Sequence, residues 1–491
     1  MGKENKSLKL NMLLNAIKNL MAVVFPLISF PYVSRTLGVE SLGQYNFATA
    51  VIAYIVLIAG LGIETYAIRE GAKVREDKLK IGQLASQVFS INVLSSVFAY
   101  AILAVLLLLV PKFQEYTLPL LILSTQVAFL TIGVNWVFSI YEDFLFVTVR
   151  SIIFQLLAII AMFVFIKDSN DVVIYCIITA SVIAVSNLIN FFVARKYCKI
   201  KFTFNLELKT HLKPILILFV SIASITIYTS SDTVVLGFIC GEYSVGIYAV
   251  SHKIYAIVKS VLFSAIVVSI PRMAMLLGKN DSEEISNTAS TILHTTLIVV
   301  IPTIIGLIAL SEEIITLLSG TDYISAVPSF IILSVAIIFC LGGYFWGHAV
   351  LIPQKEENFY LIVTIISAIV NVGLNFILIP FYGVEAAAFT TLIAELVAFL
   401  MCYFKGRKYV NTKGTVKTFI KSIIASLVII PVVLASKYLF SNMILYVIVS
   451  VVLSVILYLV LSIILKNQAV MSLFSALKNK INRKSKHPEN S

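Results

Sequence analysis

Three lysines stand inside apolar segments that are long enough to cross a lipid bilayer: Lys18, Lys253 and Lys259. A charged side chain at the bilayer centre costs about 2.5–3.5 kcal/mol, so a lysine retained there faces a partner or a water-filled cavity and is a candidate binding residue. Cations in such a cavity suit an anionic substrate, whereas a cationic substrate needs acids there. The alternative for Lys18 and Lys259 is that their ammonium groups extend to the nearby membrane surface.

Aromatic and polar side chains accompany two of these lysines on one helix. Tyr248, His252, Tyr255 and Lys259 follow the spacing i, i+4, i+7, i+11, which places them on one helix face, and Lys253 lies about 100° away. Aromatic rings and hydroxyl groups suit the faces and hydroxyls of sugars. The stripe therefore predicts a site for an anionic headgroup that carries sugars.

The remaining candidate binding residues lie on two other segments. Asn15 precedes Lys18 on the same face of the first apolar segment, and Arg35 stands at that segment's far end. Asp232 lies among Tyr, Thr and Ser residues in a later segment. We expect Asp232 either to pair with Arg35 or a nearby lysine, or to face the same cavity.

Other titratable groups in the apolar segments give weaker signals. Glu64, Glu385 and Glu395 are candidates for proton or sodium coupling, although Glu64 and Glu385 lie near segment ends, where solvation at the membrane surface explains them. His294 and His348 are single, which favours core or interface histidines over metal ligands. The five cysteines are isolated and predict free thiols. We expect no metal or other cofactor.

The whole chain has the composition of an all-α, polytopic membrane protein. Of 491 residues, 59% are hydrophobic and 13% charged, whereas a soluble domain is roughly half apolar and a quarter charged. Apolar runs of spanning length recur to the C-terminus. Hydropathy predicts fourteen transmembrane helices, at 11–36, 42–68, 83–110, 117–140, 146–166, 171–194, 212–239, 245–271, 287–310, 326–351, 358–379, 383–404, 417–436 and 441–465.

Lysine and arginine alternate with these spans as the positive-inside rule requires. With a cytoplasmic N-terminus, thirty of the 37 fall on the cytoplasmic side and four on the other, and the richest segments are 69–80, 195–213 and 405–421. Both termini are therefore predicted to be cytoplasmic. Orientation and contact with membrane lipids explain the net charge of +12, and no nucleic-acid partner is expected. The tail 466–491 is predicted to be a basic amphipathic helix on the membrane, with a solvated tail as the alternative.

An eight-residue pattern occurs twice. GVESLGQY begins at Gly38 and GEYSVGIY at Gly241, and the matching Gly, Ser, Gly and Tyr positions are 203 residues apart. Chance is the alternative, but both copies fall in the turn after the first span of a six-span block. Since six is even, the blocks enter the membrane from the same side and form parallel repeats around a central cavity. We therefore predict two six-helix lobes, 1–205 and 206–410, and an appended helix pair, 411–465.

Five segments together resemble a known family. They are FPLISFPYVSRTLGVESLGQYNFA (25–48), NWVFSIYEDF (135–144), GEYSVGIYAVSHKI (241–254), GTDYISAVPSF (320–330) and NVGLNFILIPFYGVEAAAFTTLIAE (371–395). They are similar to the polysaccharide flippases of the Wzx/RfbX type, in the multidrug/oligosaccharidyl-lipid/polysaccharide exporter superfamily. The resemblance implies alternating-access export of undecaprenyl-diphosphate-linked oligosaccharides across the bacterial cytoplasmic membrane, for capsule or O-antigen, with a polysaccharide polymerase as a possible partner.

Two other functions are compatible with such a chain. A lipid II flippase or a small-molecule multidrug exporter of the same superfamily is the nearer one, and the appended pair argues against a twelve-helix drug exporter. A membrane-embedded polymerase or ligase is the other. Its chemistry needs acids or histidines in a large outer loop, and loop 311–325 offers Glu312 and Glu313, which are typical of a solvated cap, with Asp322. No GxxxxGK[ST] motif for ATP occurs. The sequence therefore predicts a transporter.

Overall fold

The computed structural model describes residues 8–279, 282–467 and 470–471. Every regular element in these ranges is helical, which confirms the all-α class. The side chains of Asn15 and Lys18 lie outside the described residues, as does most of the tail 466–491. The predicted tail helix therefore stays a prediction.

Seventeen α-helices occur in the described ranges, with short 3₁₀ turns at Ser169–Asp171 and Thr321–Ala326 and a π-helix at Phe345–Leu351. They are α1 (Leu8–Gly60), α2 (Ile63–Val74), α3 (Lys78–Leu109), α4 (Pro111–Glu115), α5 (Thr117–Gly133), α6 (Trp136–Ile140), α7 (Phe144–Phe165), α8 (Val172–Ala194), α9 (Leu208–Val267), α10 (Ile270–Lys279), α11 (Ser282–Ala309), α12 (Ser311–Ser319), α13 (Val327–Tyr344), α14 (Glu357–Gly406), α15 (Thr415–Ser426), α16 (Ile429–Leu439) and α17 (Met443–Ile464).

Eleven helical segments of the described chain are long and apolar enough to cross a membrane. Three of them have 50 to 57 residues, about 75–85 Å at 1.5 Å per residue, against a hydrocarbon core of about 30 Å. Each contains a glycine with non-helical backbone angles, Gly38, Gly241 or Gly383, and the first also contains Gly62 (φ 77°). Each of these three segments overlaps two predicted spans. The chain is a multi-span membrane protein, and the count of fourteen crossings stays a prediction.

Two compact units make up the chain. The first comprises Met1–Val250, Leu318–Tyr323 and Asn371–Ala387, and the second comprises Ser251–Leu317, Ile324–Val370 and Ala388–Ser491. The predicted lobes 1–205 and 206–410 have different boundaries and stay a prediction.

Inside the first unit, the two copies of the repeated pattern contact each other reciprocally. A Cβ atom built on Gly43 would lie 1.9 Å from the Glu242 carbonyl oxygen, and one built on Gly246 would lie 2.0 Å from the Val39 oxygen. Gly43 and Gly246 are 203 positions apart, and so are Val39 and Glu242. Glycine therefore lets the backbones of α1 and α9 touch directly, as small residues do between membrane helices.

Helix α17 in the second unit buries a polar seam and exposes its apolar side. Its buried residues follow one another every fourth position and are Tyr446, Ser450, Ser454, Tyr458 and Ser462. Large aliphatic side chains cover the rest of the helix and are about half exposed. The Tyr458 hydroxyl donates to the Ile298 carbonyl at 2.8 Å. Small serines permit close helix packing, while the aliphatic face suits lipid.

Loop 311–325 contains helix α12, and its acid pair is not a solvated cap. The expectation was wrong for Glu313, which is 4% exposed. Its carboxylate accepts from Lys437 Nζ at 3.0 Å and from the Tyr446 hydroxyl at 2.9 Å. These two partners compensate for its burial. Glu312 is the exposed member of the pair.

Candidate functional site

Two of the predicted binding residues, Tyr255 and Lys259, contact each other in the second unit, and Tyr255 also contacts a buried acid. The Tyr255 hydroxyl donates to Glu395 Oε1 at 3.1 Å, and Glu395 is 8% exposed. Lys259 Nζ lies 4.7 Å from the Tyr255 ring centroid and 6.0 Å from that of Phe263. Cation–π contacts at such distances hold an ammonium group against apolar side chains. Aromatic rings therefore position Lys259, and one of these rings belongs to the tyrosine that donates to Glu395.

His252 and Lys253 lie half-buried on the same stretch of α9. The His252 ring centroid is 6.0 Å from that of Tyr255. The sequence spacing thus brings His252, Tyr255 and Lys259 together as predicted, with Lys253 on the adjoining face. The cluster offers ammonium donors, a phenol and an imidazole, which can bind phosphate oxygens and sugar hydroxyls.

Aromatic side chains continue from this cluster to the π-helix. Phe263 stacks on Tyr344 at 4.2 Å between centroids, and Tyr344 lies 4.2 Å from the His348 ring. The Tyr360 hydroxyl is 3.1 Å from His348 Nε2. A Cβ on Gly347 would lie 2.3 Å from the Tyr360 ring, so glycine is required for this approach. His348 is thus a hydrogen-bonded histidine within an aromatic wall, and π-helices are frequent at functional sites.

In the first unit, Asp232 and Tyr248 belong to one buried polar network. The Tyr248 hydroxyl donates to Asp232 Oδ2 at 2.8 Å, and Asn375 Nδ2 donates to Oδ1 at 2.6 Å. Asn371 Oδ1 accepts from Asn375 at 3.3 Å and from Ser231 Oγ at 2.8 Å. Asp232 is 3% exposed. Both carboxylate oxygens are hydrogen-bonded, as a buried acid requires, and the expected ion pair of Asp232 stays a prediction.

The other predicted residues occupy separate places. Arg35 is exposed, and a Cβ on Gly320 would lie 3.6 Å from its Cγ atom. Glu64 and Glu385 are exposed, in contrast to Glu395. Among the described residues, no three His, Cys, Asp or Glu side chains come together as metal ligands would.

Sequence reasoning missed an arginine network in the first unit. Arg150 was not among the candidate binding residues. It lies within α7 and donates to the Asn190 side chain and, at 3.3 Å, to the Ser186 carbonyl. Asn135 donates to Asn187 at 3.0 Å in the same network. The available signal was the occurrence of three asparagines in two apolar segments, because uncharged amides are also costly in a membrane without partners.

The sequence models of two protein families match this chain. The sequence model of the polysaccharide biosynthesis protein family matches residues 8–277, more than half of the chain. The MatE family matches residues 218–377, which include the Tyr255–Lys259 cluster.

Individual proteins agree with these matches. A putative O-antigen transporter of Escherichia coli is 24% identical over 82% of this chain and 98% of its own length. The capsular polysaccharide biosynthesis protein CapF of Staphylococcus aureus is 25% identical over 74% of this chain and 90% of its own length. The solved structure of the lipid II flippase MurJ, described as inward closed, has a TM-score of 0.73 at 19% identity and covers 94% of this chain and 100% of that one. With its helices arranged as in that transporter fold and its N-terminal half matching the family's own sequence model, the chain belongs to the polysaccharide biosynthesis protein family.

Proposed function

We propose that the protein is a flippase that carries a polyprenyl-diphosphate-linked oligosaccharide from the inner to the outer leaflet of the bacterial cytoplasmic membrane, for assembly of a surface polysaccharide. The observation that carries this proposal is the match to the O-antigen transporter along 98% of that protein's length. The capsule-related protein supports the same class of substrate. Undecaprenol is the expected lipid carrier, and a polysaccharide polymerase is the expected partner on the outer side.

The cationic cluster on α9 gives this function a mechanism. A diphosphate needs positive charge, and Lys253 and Lys259 supply it on a helix with few other charges. Lys259 is held over the Tyr255 ring, so its ammonium group is oriented before the headgroup arrives. Hydroxyl and aromatic groups beside it suit the attached sugars. Alternating access then exposes this cluster first to one side of the membrane and next to the other.

Orientation and energy fit export. The basic segments 69–80, 195–213 and 405–421 support cytoplasmic termini by the positive-inside rule. A headgroup with about two negative charges gains about 4–5 kcal/mol on leaving a cytoplasm that is 100 mV negative. The membrane potential therefore suffices to drive export, and proton or sodium antiport is the alternative. Collapse of the potential at constant ion gradients separates these two energy sources.

The test uses a strain that lacks its own polysaccharide flippase and expresses this chain with its glycan genes. Lys253→Ala and Lys259→Ala should reduce surface polymer at least tenfold at equal protein levels, because each removes a charge that the diphosphate needs. Lys18→Ala should act in the same direction. Lys259→Arg should retain more export than Lys259→Ala, and Lys201→Ala, in an exposed basic segment, should retain all of it. Unchanged export in both lysine-to-alanine variants on α9 would refute the cationic site.

The lipid II alternative rests on the likeness of fold alone and has its own test. Expression in cells depleted of their lipid II flippase should fail to restore growth, while the same gene restores surface polymer in the first strain. Growth rescue by the wild-type chain would replace oligosaccharide transport with lipid II transport as its function.

A further inference from the structure

The second unit contains an apolar cavity that the proposed transport site does not use. It has a volume of about 340 Å³ and lies among α11, α13, α14 and α15. Its lining includes Leu297, Val300, Phe339, Phe399 and Phe419, and none of the predicted binding residues. Water finds few hydrogen-bond partners in such a cavity. An apolar chain is the occupant that this lining suits.

A second cavity, of about 570 Å³, adjoins the first at the start of α15. The two share Thr412, Thr415 and Val416, and the second adds Lys417 and Lys421 to its lining without any carboxylate. One cavity is thus mostly apolar, and its neighbour is cationic. This pairing matches an amphiphile with an apolar tail and an anionic head.

Most of the positive charge at this place is not paired with a carboxylate of the described residues. Residues 405–421 contain six Lys or Arg and no Asp or Glu. Lys405 pairs with Glu356 at 2.9 Å, but within the described ranges Lys413, Lys417 and Lys421 lie within 4 Å of no carboxylate. Lys421 Nζ donates to the Lys466 carbonyl at 2.8 Å, and Lys417 is exposed. Lys417 is therefore available to an external anion.

We propose that the two adjoining cavities form a binding site for an anionic phospholipid of the surrounding membrane, with an acyl chain among α11, α13, α14 and α15 and the phosphate beside Lys417. Basic pockets between membrane helices commonly bind such headgroups. A phospholipid fits better than the transported glycolipid, because the cationic cavity around Lys417 and Lys421 is lined, within the described chain, by no aromatic side chain on which a sugar ring could stack. The bound lipid fastens α15 to α11 and α13, so it stabilises the second unit.

Purified full-length protein in detergent tests the proposal by lipid titration, with retained lipid counted by native mass spectrometry. Phosphatidylglycerol should bind saturably, and phosphatidylcholine with the same acyl chains should bind at least tenfold more weakly. Lys417→Gln should weaken phosphatidylglycerol about fivefold, the effect expected of one lysine near an anionic surface. Lys408→Gln, in the same basic segment but outside both cavities, is the matched control and should change nothing. Leu297→Trp, which fills the apolar cavity, should weaken both lipids.

Three outcomes would overturn the assignment. Equal affinity for the two phospholipids would mean that the charge of the headgroup plays no role. An equal loss of phosphatidylglycerol affinity in Lys417→Gln and Lys408→Gln would mean that only the overall charge of the basic segment matters. Stoichiometric displacement of phosphatidylglycerol by undecaprenyl phosphate, with the same dependence on Lys417, assigns the cavities to the carrier lipid instead. Because Lys417 is exposed, its replacement is expected to leave the fold intact, which the unchanged elution volume of the variant verifies.

Discussion

Glu313 illustrates how a single residue holds helices α16 and α17 against the rest of the second unit. Its carboxylate on α12 binds Lys437 of α16 and Tyr446 of α17, while the adjacent Glu312 reaches Lys437 only at 4.0 Å. Burial alone would raise the pKa of Glu313, but the hydrogen bonds from Lys437 and Tyr446 outweigh it and keep the pKa below its ordinary value. The folded protein thus favours the charged form of this acid.

Replacement of Glu313 should destabilise the protein far more than replacement of its neighbour. Glu313→Ala leaves a buried phenol and an ammonium group without their acceptor, which costs about 1–3 kcal/mol, and Lys437 is half exposed, so water limits the loss. Glu312→Ala should cost less than about 0.5 kcal/mol. Thermal unfolding in detergent measures both. Equal shifts in the two variants would contradict the role of the buried member.

The same residue should add a pH dependence of known sign. A carboxylate whose folded pKa is depressed stabilises the protein above its unfolded pKa, and that contribution is lost as the pH falls through the folded value. The difference in unfolding temperature between wild type and Glu313→Gln should therefore be constant near neutral pH and shrink below about pH 4.5. If the difference in unfolding temperature instead grew as the pH fell, the folded-state pKa of Glu313 would be raised and not lowered.

At the scale of helices, the close crossing of α1 and α9 depends on Gly43 and Gly246. The backbone angles at Gly38 (φ 73°, ψ 179°) and Gly241 (φ 82°, ψ −176°) are nearly the same, and the contacts of Gly43 and Gly246 mirror each other. Gly43 of the first copy approaches Glu242 of the second, and Gly246 of the second approaches Val39 of the first. The two contacts are therefore equivalent, as contacts across a twofold axis are. The repeat seen in the sequence therefore has a physical basis in this crossing.

Alanine at either glycine of the crossing should impair the protein. A methyl group at Gly43 or Gly246 would stand about 2 Å from a backbone oxygen, so the helices must separate, at a cost of about 1–3 kcal/mol. We expect a lower unfolding temperature and less surface polymer. Gly306→Ala in α11 is the control, since its added methyl would have no atom within 4 Å apart from its chain neighbours and its own helix backbone, and it should be neutral or slightly stabilising. Indistinguishable behaviour of the three variants would refute the close crossing.

The helices were largely predictable from hydropathy, and their interruptions were not. The predicted span 171–194 matches α8 within a residue, because its run of apolar residues ends at charged ones. The predicted span 117–140 is divided by Val134, which adopts a left-handed conformation (φ 40°) that nothing in its residue type indicates. The cluster around Tyr255 and Lys259 followed from helical spacing, whereas Glu395 and Asn375 reach their partners from segments more than 100 residues away. Such long-range pairs leave no local pattern.

At the scale of the whole molecule, the number of crossings depends on three glycines. Each of the three longest apolar helices contains one non-helical residue, Gly38, Gly241 or Gly383, and is too long for one crossing. If each helix reverses at its glycine, eleven helical segments give fourteen crossings and both termini lie on one side. The three glycines then all face the side opposite the basic segments, since each follows an odd-numbered span.

Accessibility of single cysteines in intact cells tests this arrangement directly. The five native cysteines are unpaired and four are buried, so a background without them is attainable by substitution with alanine. Glu40→Cys, Tyr243→Cys and Tyr382→Cys place exposed thiols beside the three glycines, and a membrane-impermeant maleimide should label all three from outside. Lys78→Cys and Lys201→Cys, exposed in the basic segments, should react only after permeabilisation. A helix that crosses the membrane only once must carry its glycine through the hydrocarbon core. The thiols beside the glycines would then resist the reagent both before and after permeabilisation, and this outcome would contradict the reversal of the helices at their glycines.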